Sequence, residues 1–359
     1  MLIYADTDVC QYHLEQIDQD FTREFVDPDV AVFHIPFPWQ GYSQEFQQRV
    51  DRALDICHQV VILCSELHNA TVDFIQRYDH DKISYFLNGH LNRRLSHAKV
   101  YQWFDWYHRT AEFYKKNPEL LTKLIPHTVK PKTFDILLGQ PRTHRDLIYK
   151  YIESAGLTDS VVMTYLRDFS QGLYDHDFHA KSFQERGTSE WLWELDGVEI
   201  PDNQLHFTID KVKYHGQDIS LSQIIPTSIY NQTAYSIVAE TNYMNHYSFP
   251  TEKIVKPILA ERLFIAVSGQ HYLRNLHSEG FQTFSDIIDE SYDEEPDVLK
   301  RHSMINEQIN YLIKHPQEDI LARIQFVTDH NKRVMFETDW YGDFSRVFRS
   351  LLLEHVGQN

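Results

Sequence analysis

Glycine is scarce in this chain: 12 residues of 359, against 22 Phe and 21 Tyr. The glycines present lack the spacing of a P-loop or of a dinucleotide fingerprint, so neither phosphate cradle is available. Cysteine is scarcer, with three residues, Cys10, Cys57 and Cys64, and no C-x-x-C pair. Cys57 and Cys64 flank a strand-like run and read as reduced core thiols, which suggests a cytoplasmic setting. No segment reaches the roughly 18 uninterrupted apolar residues of a membrane span. The start, MLIYADTD, has neither a basic flank nor a long apolar core, so a first strand is expected there and not a signal peptide. Positive charge is also short, 34 basic against 52 acidic residues for a net charge of -18. That argues against a broad clamp on duplex nucleic acid, which needs a basic face, but leaves room for a local basic channel.

What the chain does have is apolar and aromatic mass. Hydrophobic residues make up 42% and aromatics 14%. The length suggests two domains. From the start to Asn88-Gly89, short apolar runs alternate with helical spacing. The runs are Leu2–Ala5, Val30–Ile35, Val60–Leu63 and Ile83–Leu87; the helical patterns are Phe46–Ile56 and Thr71–Tyr78. That alternation predicts a parallel α/β domain. The aromatic stretch Val100–Tyr114 fits core packing, or a stacking surface for a base or sugar. Three prolines and three lysines between Asn117 and Lys132 mark a linker. Beyond it the pattern restarts: a strand at Phe134–Leu138, the turn Gly139-Gln140-Pro141-Arg142, a helix at Thr143–Ala155 and a strand at Val161–Leu166. The expected domains are therefore 1–128 and 129–335, with 336–359 as a terminal helix that returns to the first domain.

Strand exits and helix starts of such sheets are where ligands bind. Arg142 and Arg145, with Gln140 in the turn before them, lie at one such place and can chelate phosphate oxygens in fork geometry. Glu240 closes the strand Ala234–Ala239, where an acid commonly accepts from ribose hydroxyls. Thr251-Glu252-Lys253 opens the next helix, whose free N–H groups and positive dipole end favour an anion. Leu263–Val267 then reads as a buried strand and Tyr272–His277 as a helix closed by Gly280. Glu252 could equally be a simple first-turn acid, with Lys253 solvated. The stretch Asp168–Pro226 reads as irregular and polar. Its HDFH cluster at 176–179 has no matching carboxylate or Cys spacing nearby, and no metal site is assigned. The acid run Asp286–Asp297 reads as a solvated face. Helical spacing fills Val298–Ile313, Ile320–Phe336 and Phe344–Val356.

The segment Thr251–Asp293 resembles known families. Thr251-Glu252-Lys253, an apolar helix and a short strand are similar to the "TEK" nucleotide-sugar segment of fucosyltransferase-type glycosyltransferases. The longer form, ending in GFQTF and DESYD, resembles uncharacterised phage-borne glycosyltransferases; Phe134–Arg145 fits more loosely. The resemblance implies that Glu252 and Lys253 contact a nucleotide sugar. It departs at Phe264-Ile265-Ala266-Val267, where the fucosyltransferase pattern is Pro-rich, so fucose is not implied. The fold expected is GT-B: two facing Rossmann-like α/β domains, the second holding the nucleotide sugar. The reaction expected is sugar transfer from a nucleotide diphosphate sugar to a hydroxyl, with Arg and Lys in place of a metal and no further cofactor. The acceptor suggested is a hydroxymethylated base in phage DNA, which would place the enzyme in the host cytoplasm. A glycan or lipid-linked acceptor, or a non-catalytic nucleotide-binding protein, stands as the alternative. The acceptor's proton needs a base. Glu66, ahead of His68, is expected in that role because the loop Ser65–Asn69 leaves the most apolar strand; Asp8 and His34 are the rivals. Asp6-Thr7-Asp8 spells a DxD metal motif but belongs to the domain opposite the nucleotide site.

Overall fold

A computed structural model describes residues 2–16, 20–25, 28–35, 43–139, 142–165, 198–199 and 211–353. The chain divides into two compact units. One comprises Met1–Arg109, Met244–Pro250 and Thr338–Asn359; the other comprises Thr110–Tyr243 and Thr251–Glu337. The chain passes from the first to the second inside a helix, upstream of the Pro-rich segment.

The first unit is built on five parallel strands: β1 (Ile3–Ala5), β2 (Val30–Ile35), β3 (Gln59–Cys64), β4 (Ile83–Leu87) and β5 (Lys99–Gln102), adjacent in that order. β1 to β4 are buried along their whole length, as strands covered on both faces must be. Between them run α1 (Asp8–Gln16), α2 (Gln44–Ile56) and α3 (Asn69–Arg77). Ser43 caps α2, its Oγ accepting from Phe46 N at 3.1 Å, and Phe46, Val50 and Ala53 form the buried stripe.

The winding reverses at β1. After α1 the chain returns to Thr22, which bridges the outer edge of β1 in parallel. α2 and α3 step the other way. Right-handed crossovers in opposite directions place helices on opposite faces. Accordingly, Cys10 and Leu14 of α1 pack with Ile3, Val32 and Leu63, whereas α2 and α3 pack with Phe33, Val60 and Ile62. The aromatic stretch after β5 enters α4 (Asp105–Lys116) and is core: Trp103, Tyr107 and Tyr114 are buried.

The second unit has its own sheet of four parallel strands: β6 (Lys132–Leu138), β7 (Val161–Tyr165), β8 (Thr233–Ala239) and β9 (Phe264–Val267), in the order β9-β8-β6-β7. The helix α5 (Thr143–Ser154) carries the chain from β6 to β7. The helix α6 (Glu252–Leu259) carries it the other way, from β8 to β9. A switch point therefore opens between the carboxyl ends of β6 and β8. α7 (Tyr272–Ser278), α8 (Val298–Lys314) and α9 (Gln317–Glu337) complete this unit. A last helix, α10 (Gly342–Leu353), belongs to the first unit. Its Phe344, Phe348, Leu351 and Leu352 pack with Ile3, Leu63 and Phe86.

Two separate parallel sheets thus replace any single continuous one, in line with the two Rossmann-like α/β domains expected. Two expectations need correction. Part of the stretch read as irregular forms an antiparallel sheet of Val198–Glu199, Lys211–Tyr214 and Gln217–Ser220. Its hairpin turns through His215 and Gly216, both at positive φ (47° and 77°), the conformation a two-residue primed turn requires. The HDFH and WLWELDG motifs lie outside the described residues. The acid run is not simply a solvated face either. Asp293 is buried and accepts from Leu273 N (2.9 Å) and Arg274 N (3.0 Å), capping α7. Glu290 accepts from Phe284 N at 2.8 Å and from the Thr283 hydroxyl, and burial pushes its carboxyl up to about 7.

Candidate functional site

The switch point of the second unit gathers most of the residues singled out by sequence. Arg142 is the N-cap of α5, and its side chain makes no capping bond to the first turn. Its Nε is buried and has no hydrogen-bond partner among the described residues. Arg145 lies one turn on and is buried. It passes beside Gly139, where a Cβ would come within 3.3 Å of its Nη1, and donates from Nη2 to the Glu240 carbonyl at 3.0 Å. Burial, with Arg142 close by, lowers its pKa to about 10. Gln140 lies outside the described residues.

His144, between the two arginines, was not singled out in the sequence. It is fully buried, its Nε2 lies 2.7 Å from the same Glu240 carbonyl, and its ring packs on Tyr243 at 4.6 Å. A carbonyl only accepts, so Nε2 carries the proton. Burial and the neighbouring Arg145 hold the ring neutral. That leaves Nδ1 as a bare acceptor without a partner among the described residues.

The other side of the switch point is the start of α6. Thr251 is its N-cap, accepting from Lys253 N at 3.3 Å. Lys253 Nζ lies 2.8 Å from Glu252 Oε1 and 3.2 Å from the hydroxyls of both Thr241 and Thr251. Its side chain is 22% exposed whereas that of Glu252 is 3% exposed. Lys253 is therefore the member of the pair that reaches solvent. Burial works against the Glu252 carboxylate, but Lys253 and Lys256 hold its pKa below the usual range. Lys256, one turn into the helix and also missed, is buried, and burial lowers its pKa to about 8.

The Glu240 carboxylate is engaged within the protein. It is fully buried. Its Oε1 accepts from Thr251 N (3.1 Å) and Tyr272 Oη (2.8 Å), and its Oε2 from Thr251 Oγ1 (2.7 Å) and Thr241 N (3.3 Å). A carboxylate has about four accepting positions, and these bonds fill them, so none remains for the ribose hydroxyl expected from the sequence.

The proposed base lies in the first unit. Glu66 and His68 are half-buried in the loop after β3. His68 is the N-cap of α3, its Nδ1 accepting from Ala70 N at 3.4 Å, and the Glu66 carbonyl accepts from Thr71 Oγ1 at 3.1 Å. The His68 Nδ1 lone pair is engaged in that cap. The rivals are placed differently. His34 is buried with Nε2 2.7 Å from Ser65 Oγ, and burial lowers its pKa to about 4. Asp8 is almost fully exposed beside Arg23, and Asp6 is buried against Arg49 and the Tyr4 hydroxyl.

No family model matches the chain, so none carries the fucosyltransferase-type resemblance, and no curated protein matches it in sequence. Among solved structures, an α,α-trehalose 6-phosphate synthase from Burkholderia multivorans is similar over 92% of this chain and 73% of its own, at 11% identity and a TM-score of 0.42. An α,α-trehalose-phosphate synthase (UDP-forming) from Burkholderia vietnamiensis is similar over 99% and 73%, at 12% identity and 0.38. The GtfA/B complex is similar over 85% and 60%, at 11% identity and 0.30. These likenesses are too distant to carry fold or function, which rest on the geometry above.

Proposed function

We propose that the chain is a glycosyltransferase of the GT-B kind that holds a nucleotide diphosphate sugar at the switch point of its second unit. The observation that carries this reading is the convergence of two helix starts, α5 and α6, with Arg142, Arg145 and Lys253 at the carboxyl ends of β6 and β8. Helix starts and cations stabilise a diphosphate, most strongly as it departs with developing charge. Behind the site, Arg142 Nε and His144 Nδ1 are a buried donor and a buried acceptor without partners among the described residues. In the transfer step the acceptor hydroxyl attacks the anomeric carbon, the bond to the diphosphate breaks, and the base takes the hydroxyl proton. Glu66 is proposed as that base, Lys253 and Arg142 as diphosphate contacts, and Glu252 as the counter-charge that orients Lys253. Positive side chains do the work that a metal would otherwise do at the leaving group.

The candidate acceptors are a hydroxymethylated base in DNA and a glycan or lipid-linked hydroxyl. Incubation of the protein with UDP-, GDP- and dTDP-sugars and each acceptor class, with release of nucleoside diphosphate and acceptor mass as readouts, tests the reading. Transfer to one acceptor class is expected. Tight nucleotide binding without release under any pairing would leave a nucleotide-binding protein.

A further inference from the structure

We propose that Glu240 is a positioning residue, which sets the Lys253 ammonium through the hydroxyl of Thr251. The inference rests on the donor-site reading above and adds to it a device inside the protein. Glu240 links the two helix starts. Its backbone carbonyl receives His144 Nε2 and Arg145 Nη2 from α5, and its carboxylate receives the backbone N–H and the hydroxyl of Thr251 from α6. The Thr251 hydroxyl has one proton and two lone pairs. The proton goes to Glu240 Oε2, because a carboxylate only accepts. The lone pairs are then turned toward Lys253, whose backbone N and Nζ lie 3.3 Å and 3.2 Å from Oγ1. Glu240 thus dictates the polarity of the N-cap, and the N-cap hydroxyl, with Glu252 Oε1 and Thr241 Oγ1, holds the cation. The Tyr272 hydroxyl, from α7, and Thr241 N close the remaining positions and keep the carboxylate dry.

Glu240→Gln keeps the volume but puts an NH₂ where only acceptors stood. An amide facing Thr251 donates to its hydroxyl and competes with Lys253 for a lone pair. The test is a double-mutant cycle of Glu240→Gln with Lys253→Ala in the full chain, read by calorimetry with UDP, GDP and dTDP. A second arm reads hydrogen exchange at the first turn of α6 without nucleotide. Glu240→Gln should weaken diphosphate binding about 10-fold in the wild-type background and change it less than about 2-fold in the Lys253→Ala background. Exchange at Lys253 and Ile254 should quicken about 10-fold. An equal loss in both backgrounds would mean that Glu240 touches the ligand and would overturn the proposal, as would unchanged exchange. If no diphosphate binds the wild-type protein, the donor-site reading fails while the exchange arm still decides the positioning. Should Glu240→Gln not fold, Thr251→Val removes the same relay and takes its place in the cycle with the same outcomes.

Discussion

Lys253 stands out in the sequence because it follows Pro250 and Thr251 at the start of an apolar helix, and its side chain is 22% exposed in the structure. Lys253→Ala should weaken binding of a nucleotide diphosphate sugar by about 1.5–3 kcal/mol, the scale of a hydrogen bond to a charged group. Unchanged affinity in calorimetry would remove it from the site. Glu66→Gln should lower turnover about 100-fold with donor affinity intact, the usual contribution of a general base; wild-type turnover would move the role to His68, Asp8 or His34. His34 gives a pH test that needs no substrate. Its folded pKa, lowered by burial to about 4, lies below the ordinary value of 6.5, so the unfolded chain binds the extra proton first. The stability it confers is full above pH 6.5 and is lost as pH falls toward 4. The stability advantage of wild type over His34→Gln should therefore shrink by about 3 kcal/mol across that window. A constant difference in denaturant melts would contradict it. His144 and Lys256 were missed because an isolated His or Lys carries no spacing signal; only burial beside other site groups marks them.

At the scale of elements, the sequence was most informative where apolar runs are short and bounded. β2 and β4 match the runs Val30–Ile35 and Ile83–Leu87 residue for residue. β9 begins one residue inside its run, after Leu263. The hairpin through His215-Gly216 was missed because its strands are short and largely polar on one side, so alternation over Val212, Tyr214 and Ile219 was easily overlooked. The acids at 290 and 293 escaped for a different reason: a buried carboxylate that caps a turn has the same composition as a solvated one, and only the N–H groups facing it tell them apart. α10 offers a direct check on the element that closes the first unit. Phe348 is fully buried and its ring stacks on Phe344 at 5.3 Å. Phe348→Ala should cost about 3–5 kcal/mol in unfolding free energy, the usual range for a buried Phe. A loss below about 1 kcal/mol would mean that the helix contributes little to that core.

Across the whole molecule, the restart of the strand–helix pattern near residue 132 foretold two sheets, because each parallel sheet must wind its own helices. The order of strands was not legible. Strand order is set by which face each crossover covers, and periodicity along the chain carries no such information. Yet that order creates the switch point, where the candidate site lies. The account's central claim is that this switch point binds a nucleotide diphosphate sugar through Lys253 and the two helix starts. Calorimetric titration of UDP-, GDP- and dTDP-sugars into wild-type and Lys253→Ala protein tests it most directly. The account predicts saturable binding of one of them to the wild type, with affinity about 10- to 150-fold weaker in the variant. Absence of binding by every member, or equal affinity in a correctly folded variant, would contradict it.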